Sequence, residues 1–213
     1  MKNKHTIIAL VLSLILVILI AYQLGNRLIW KKSHSGIQSE LKLNDMDIVF
    51  GSDTAKLSIF MYSSYTCTYC QNFFNDVYPK LKPEYIDNGK VNLIVRLVDY
   101  TSNPAIENAN KIAVCINKYG YYEKLHQLFI ANFKVVSTSE FESMIEEFTL
   151  ADQLVAECYF GGKAEVYLNE TRSQFDQLGF KGTPTFVIKT NVFGGFMDYE
   201  QLSEIINHYL LNK

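Results

Sequence analysis

Two cysteines separated by two residues, Cys67 and Cys70, are the residues of this chain whose type and spacing best suit chemistry. They follow an apolar run over residues 57–62 and precede apolar residues at helical spacing from Phe73 onward. At such a step from strand to helix, the helix N-terminus favours the thiolate form of the first cysteine. The second cysteine, one turn on, is close enough to form a disulfide with it. We therefore predict that Cys67 is a nucleophile and Cys70 its resolving thiol.

Half of a zinc site is the competing interpretation of this motif. Zinc would require two more Cys or His residues at similar spacing. The other two cysteines, Cys115 and Cys158, stand alone on predicted helices, and the four histidines form no cluster. The sequence therefore predicts no metal and no dissociable cofactor.

A second feature is the segment Gly182-Thr183-Pro184-Thr185, which precedes a β-rich run. A proline directly ahead of a strand can be a plain turn. Together with the upstream dithiol, it predicts a cis-proline loop at Thr183-Pro184 that faces the cysteines. Such a loop would offer a backbone edge to an extended substrate.

The elements that must position these residues are indicated by hydrophobic periodicity. We predict strands over 47–50, 57–62 and 91–98, and a helix over about 67–87 that is kinked or broken near Pro79. A long helical stretch follows over 104–178, and then two short β-rich runs and a last helix that Asp198 caps. This order predicts an α/β fold: a β-α-β unit, a helical subdomain, and a hairpin with a helix.

The N-terminus predicts a transmembrane helix, because residues 6–25 carry no charge and are mostly apolar. Trp30 beside two lysines suits an anchor at the membrane interface. A cleaved signal peptide is the alternative, and both interpretations deliver the remainder across a membrane. Of the 20 basic residues, five lie in 1–32, which leaves 15 against 22 acidic residues in the rest of the chain. That acidic balance argues against nucleic acid as a partner.

The chain resembles the DsbA branch of the thioredoxin superfamily over about residues 45–212, and most closely the membrane-associated DsbA-like proteins of alphaproteobacteria. The resemblance rests on the segments 60–70, 78–81, 85–91, 113–120 and 179–186. It implies a thioredoxin fold over 47–101 and 179–213 with an inserted α-helical subdomain over 102–178. Residues 1–30 would then be the membrane anchor or uncleaved signal, and residues 31–46 a linker.

The same resemblance implies a thiol:disulfide oxidoreductase that forms disulfides in exported proteins. Carried over by position, Cys67 is the attacking cysteine, Cys70 its partner, and Thr183-Pro184 the cis-proline loop. The implied partners are unfolded or partly folded exported proteins and a membrane redox partner that reoxidises or reduces the pair. The implied location is the inner membrane with the globular domain in the periplasm, or the periplasm alone after signal cleavage. A disulfide reductase or isomerase, and a membrane-tethered chaperone with secondary redox activity, remain as alternatives.

The chain departs from the family pattern at and around the motif. Thr68 stands where proline is usual, and Tyr69 supplies no positive charge. The segment Ser63–Thr66 lacks the acidic residue that many members carry there. These departures leave the redox potential and the proton path open.

Cys115 and Cys158 are either two buried free thiols or a second, structural disulfide. In an exported protein we expect the disulfide.

Overall fold

The computed structural model describes residue 8 and residues 10–21, 35–117 and 122–211. They fall into two compact units, residues 1–36 and residues 37–213. In the first unit, residues 10–21 form helix α1, with solvent-exposed side chains, and Ser35–Gly36 forms the short strand β1. None of the helices in the described part of the chain is long and apolar enough to traverse a membrane. The rest of the predicted anchor lies outside the described residues.

A central sheet organises the second unit. Its strands are β2 (Ile48–Phe50), β3 (Leu57–Ser63), β4 (Val91–Leu97), β5 (Thr185–Ile188) and β6 (Asn191–Gly194). They lie in the order β6-β5-β3-β4-β2. The central pair, β3 and β4, is parallel, and the pairs β2–β4, β3–β5 and β5–β6 are antiparallel. The predicted β-α-β unit and C-terminal hairpin are therefore confirmed.

The helix between β3 and β4 is not a regular α-helix. It consists of α2 (Thr68–Asn72), a π-helical turn (Phe73–Val77), α3 (Tyr78–Leu81) and a second π-helical turn (Lys82–Ile86). Both prolines occupy the first positions of a segment, Pro79 in α3 and Pro83 in the second π turn. Proline lacks an N–H and its ring crowds the preceding turn. The interruption that the sequence predicts takes the form of two wide π-helical turns, one shortly before Pro79 and one that contains Pro83.

The chain between β4 and β5 is helical, as predicted. It contains α4 (Pro104–Asn117), α5 (Tyr122–Ala131), a 3₁₀ turn (Phe133–Ser137), α6 (Ser139–Ala151), α7 (Gln153–Phe160) and α8 (Lys163–Gln177). The last helix, α9 (Tyr199–Leu211), follows the hairpin, and the backbone N–H of Gln201 donates to the Asp198 carboxylate at its start. A disulfide joins Cys115 of α4 to Cys158 of α7, 43 residues apart. Closing a loop of that length stabilises a fold by about 3–4 kcal/mol on the chain-entropy argument.

Residues 37–46, which the sequence analysis assigned to a linker, differ from that prediction. Ile37 and Leu41 pack against a core cluster on one face of the sheet that includes Tyr62 and Phe175. The backbone N–H of Ile37 also donates to the carbonyl of Thr190. These two apolar residues, four positions apart, pack the segment against the sheet, so a linker within the described residues is shorter than predicted.

A buried ion pair ties the start of β2 to β4. The Arg96 guanidinium donates to both carboxylate oxygens of Asp47 at 2.8 Å, and the Tyr167 hydroxyl donates to the same carboxylate at 2.5 Å. The remaining guanidinium N–H groups reach Gln174 and the carbonyl of Lys42. The two charged side chains are 5% and 0% exposed, so each charge depends on the other for neutralisation.

We expect Asp47→Ala to lower the free energy of unfolding by about 3–5 kcal/mol, because Arg96 would be left buried and unpaired. Urea unfolding of the full chain measures this loss. Lys82→Ala is the matched control, since it removes an ion pair with Asp87 whose side chains are 37% and 51% exposed. Its expected loss is below about 1 kcal/mol. Equal losses in the two variants would contradict a structural role for the buried pair.

An aromatic cluster around His126 packs the helical region onto the motif-bearing helix. The imidazole ring lies 4.2 Å from the ring of Phe74 and 5.2 Å from that of Phe50, and its Nδ1 contacts the Tyr122 hydroxyl at 3.1 Å. Its Nε2 is buried and has no hydrogen-bond partner among the described residues. Burial lowers the pKa of His126 from its ordinary 6.5 to about 3.

This burial predicts an acid-dependent loss of stability. Between pH 6.5 and 3 the unfolded chain binds a proton at His126 that the folded chain does not, so stability falls as the pH falls. The expected loss from pH 6.5 to 5 is about 1–2 kcal/mol. His126→Phe should lose this dependence, and His208→Gln, on an exposed position of α9, should keep it. Unfolding curves at several pH values test this, and an unchanged pH slope in His126→Phe would contradict it.

Candidate active site

The motif cysteines lie at the carboxyl end of β3, where the chain turns into α2. Cys67 is the residue that precedes α2, and its carbonyl accepts from the backbone N–H groups of Cys70 and Gln71 at 3.0 Å. Its backbone is extended while α2 begins at Thr68, so its side chain stands at the helix N-terminus. The unpaired N–H groups of that first turn provide the positive end of the helix dipole.

The two cysteines have contrasting environments. Both carry free thiols, and Cys67 is half-buried whereas Cys70 is 1% exposed. The Cys70 sulfur is hydrogen-bonded by the Ser63 side chain and by the backbone of Ser64. Burial raises the pKa of the Cys70 thiol to about 12, against the smaller opposing effect of these hydrogen bonds. Cys67 is therefore the accessible thiol, and Cys70 is a thiol that stays protonated at neutral pH.

The Thr183-Pro184 loop faces Cys67. Its peptide bond is cis, and the carbonyl of Thr183 accepts from the Cys67 thiol at 3.1 Å. The carbonyl of Pro184 accepts from the backbone N–H of Gly195 at 2.8 Å, which ties the loop to the end of β6. The structure thus brings together the two segments that the sequence analysis singled out separately.

Exposed side chains surround this junction. Thr68 and Tyr69 of the motif are solvent-exposed, and Tyr69 is 61% exposed. The Tyr69 ring lies 6.5 Å from the ring of Phe196, which follows the Gly195 that contacts the cis-proline loop. Two exposed aromatic rings beside a reactive sulfur form an apolar surface on which a peptide side chain can pack.

Asp99 is a residue of this site that the sequence reasoning missed. Its buried carboxylate accepts from the hydroxyls of Ser64 and Thr66, which belong to the turn before Cys67. A sequence signal was present, because Asp99 directly follows the second of two parallel strands. The carboxyl ends of such strands meet at one edge of a sheet.

Cys115 and Cys158 are not part of this site, since they are bonded to each other between α4 and α7. Within the described ranges, no group of three or more His, Cys, Asp or Glu side chains is arranged to hold a metal ion.

The profile of the thioredoxin family matches residues 43–208, which is most of the chain. The protein therefore belongs to the thioredoxin family. Among its relatives, a protein assigned as a protein-disulfide oxidoreductase in Rickettsia conorii is 23% identical over 169 residues. That match covers 71% of this chain and 56% of the relative, so the chain spans little more than half of the relative's length. Disulfide bond formation protein D of Bacillus subtilis is 21% identical, with 78% of each protein covered.

Solved structures share the fold. The alpha-DsbA1 protein of Wolbachia pipientis superposes with a TM-score of 0.63 and 24% identity, over 80% of this chain and 93% of that protein. BdbD of Bacillus subtilis, in its oxidised form, superposes with a TM-score of 0.64 and 16% identity, over 84% and 100%. The thioredoxin-like fold expected from the sequence is confirmed.

We expect iodoacetamide to alkylate Cys67 in the reduced native protein at neutral pH and to leave Cys70 largely unmodified. The thiolate is the reactive form, and Cys70 is both inaccessible and almost entirely protonated. Mass spectrometry of the digested protein quantifies both sites, with a difference of at least about tenfold expected. Protein denatured in guanidinium is the control and should be labelled similarly at both cysteines. Equal labelling in the native protein would contradict the described burial of Cys70.

Proposed function

We propose that this protein is a thiol:disulfide oxidoreductase that forms disulfide bonds in exported proteins through Cys67 and Cys70. The observation that carries the proposal is the contact between the Cys67 thiol and the carbonyl of Thr183, beside the cis-proline. This contact brings together the accessible Cys67 sulfur and the half-buried Thr183 of the cis-proline loop, with the buried Cys70 one helical turn on. The disulfide-related names of the Rickettsia and Bacillus relatives support the same activity.

The reaction follows from the different burial of the two sulfurs. A substrate thiolate attacks Cys67 Sγ of the oxidised pair, and the Cys67–Cys70 bond breaks as the new mixed disulfide forms. Cys70 leaves as a thiolate and takes up a proton, since its thiol has a pKa of about 12. A second substrate thiolate then attacks the substrate sulfur of the mixed disulfide, and Cys67 leaves. The substrate has lost two electrons and gained a disulfide, and the protein holds the dithiol.

Substrate recognition in this proposal uses the face around Cys67. The backbone of the cis-proline loop would pair with an extended segment of an unfolded protein, and Tyr69 and Phe196 would contact an apolar side chain near the substrate cysteine. Both rings are accessible in the described structure.

We propose that the globular unit lies on the outer side of a membrane. The uncharged residues 6–25 and the flanking lysines support a single-pass anchor in the inner membrane, with the globular unit in the periplasm. The Cys115–Cys158 disulfide supports an oxidising compartment. A membrane redox partner would reoxidise Cys67 and Cys70 after each cycle.

The test is oxidative folding of a reduced, unfolded protein by the oxidised full chain. We expect wild-type protein to form substrate disulfides and Cys67→Ser to form none, because the sulfur that receives the substrate is gone. Cys70→Ser, loaded beforehand at Cys67 as a mixed disulfide with glutathione, should release glutathione to an attacking substrate thiolate and form a mixed disulfide with substrate, which non-reducing electrophoresis detects. The matched control is Cys115→Ala/Cys158→Ala, which removes two cysteines away from the site and should retain activity at a temperature where it is folded.

Two outcomes would contradict this function. Activity that survives in Cys67→Ser would remove Cys67 from the mechanism. Suppression of substrate aggregation by Cys67→Ser/Cys70→Ser, without disulfide formation by wild-type protein, would favour a chaperone.

The direction of electron flow is measured by equilibrating Cys67 and Cys70 with glutathione. A reduction potential near roughly −120 mV favours an oxidase, and one near roughly −270 mV favours a reductase.

A further inference from the structure

The carboxylate of Asp99 holds the turn that leads into the motif. Asp99 follows β4 and is 8% exposed. One of its oxygens accepts from both the Ser64 and the Thr66 hydroxyls, which also contact each other at 2.7 Å. The backbone N–H of Thr66 donates to the Ser64 hydroxyl oxygen at 3.1 Å. A single carboxylate oxygen therefore fixes three consecutive residues just before Cys67.

The same turn touches both motif cysteines. The carbonyl of Ser64 accepts from the backbone N–H of Cys67 at 3.2 Å. The backbone of Ser64 and the side chain of Ser63 hydrogen-bond the Cys70 sulfur. Any shift of the turn changes the hydrogen bonds that the Cys70 sulfur receives. Because a hydrogen bond to a charged sulfur is stronger than one to a neutral thiol, these contacts matter most when Cys70 is a thiolate.

We propose that Asp99 is a positioning residue: its ionised carboxylate holds Ser64, and through the chain the adjoining Ser63, beside the Cys70 sulfur. Protonation of Asp99 then slows opening of the Cys67–Cys70 disulfide. This inference rests on the proposed function and assigns to it a residue outside the motif and the cis-proline loop. The chemical step is unchanged: an attacking thiolate bonds to Cys67 Sγ, and the electron pair of the broken bond goes to Cys70 Sγ. Asp99 acts on this step through the two serines and contacts neither substrate nor sulfur.

The far side of Asp99 is suited to a change of protonation. Its second carboxylate oxygen accepts from the Asn110 amide N–H at 2.8 Å. The amide oxygen of Asn110 is buried and has no hydrogen-bond partner among the described residues. If the amide turned over, that oxygen could accept a hydrogen bond from a neutral Asp99 carboxyl group. The pair therefore has a hydrogen-bonded arrangement for each protonation state of Asp99.

The charged side chains around Asp99 come from helices α4 and α8. Burial raises the pKa of the Asp99 carboxyl above its ordinary value, and hydrogen bonds from Ser64, Asn110 and Thr66 partly oppose that shift. Arg172 of α8 donates to the Asp99 carbonyl at 3.1 Å and also lowers the pKa. The motif cysteines follow the turn, Cys67 directly before α2 and Cys70 within it. A cavity of about 110 Å³ borders Asp99 and Asn110, and its other charged lining residues are Glu107, Lys111, Glu165 and Arg172.

The experiment measures how fast reduced glutathione opens the Cys67–Cys70 disulfide of the full chain from pH 4, near the ordinary pKa of an aspartate, to pH 9. Rates are divided by the thiolate fraction of glutathione, so that the remaining pH dependence belongs to the protein. Wild-type protein should show an acid-side inflection below which opening slows. Asp99→Asn should lose that inflection and be slower above it by about fivefold, the equivalent of about one hydrogen bond. Asp99→Glu should restore the inflection.

Asp176→Asn is the matched control, because the Asp176 carboxylate is exposed and accepts from the Tyr100 hydroxyl at 2.6 Å. It should keep the wild-type profile. Thr66→Val removes one hydroxyl from Asp99 at an exposed position and should weaken the inflection without unfolding the protein. A wild-type profile in Asp99→Asn overturns the proposal, as does an equal change in Asp176→Asn. If Asp99→Asn does not fold, a wild-type profile in Thr66→Val overturns it.

A second readout separates this inference from the proposed function. If glutathione does not open the disulfide of wild-type protein, the proposed function is contradicted. Alkylation of the chemically reduced protein over the same pH range then tests Asp99 alone, since it needs no exchange reaction. The ratio of Cys70 to Cys67 labelling should change in Asp99→Asn and not in Asp176→Asn. An unchanged ratio in Asp99→Asn overturns the role of Asp99.

Discussion

The parallel pairing of β3 with β4 is the constraint on which the site depends. The register runs from Leu57 opposite Val91 to Ser63 opposite Leu97, so both strands end at the same edge of the sheet. The motif turn follows β3 and Asp99 follows β4, which places a carboxylate beside the turn. On the other side of β3, β5 is antiparallel, with Thr185 opposite Tyr62. Its amino end, preceded by the cis-proline, therefore lies at this edge too.

Burial then makes the two cysteines unequal. The helix that follows the motif packs its aromatic face on the sheet, with the Phe73 ring 5.2 Å from that of Phe186. This packing turns Cys70 inward with Phe73 and leaves Cys67 at the helix start. Burial removes the Cys70 sulfur from water and keeps it protonated. The Cys67 sulfur stays accessible at the start of the helix. In the proposed reaction, this helix orientation leaves Cys67 open to attack by substrate and makes Cys70 the leaving sulfur.

The helical region contributes to the site from outside the sheet. His126 and Tyr122 of α5 pack against Phe74 and Phe50, and the Tyr122 hydroxyl contacts that of Tyr65 at 2.5 Å. Tyr65 lies within the motif turn, so α5 also supports the turn, through a residue that Asp99 does not contact. The turn before Cys67 is consequently held by a polar network from β4 and α4 and by an aromatic cluster from α5. Such support from two elements is how a reactive side chain is kept in one geometry.

The sequence by itself determined the thioredoxin-like order of elements, the dithiol at the start of a helix and the proline ahead of a strand. Each of these is encoded locally, by periodicity, by spacing or by one residue type. The structure alone decided that the Thr183 carbonyl contacts Cys67 and that Asp47 pairs with Arg96, and it shows the disulfide between Cys115 and Cys158 that the sequence led us to expect. It also decided that Ile37 and Leu41 pack on the sheet and that Asp99 holds the motif turn. These contacts join residues whose separation in the sequence is between 33 and 116 positions, or they depend on which face of an element is buried. No local pattern specifies such contacts, because they arise only when the strands pair and the core excludes water.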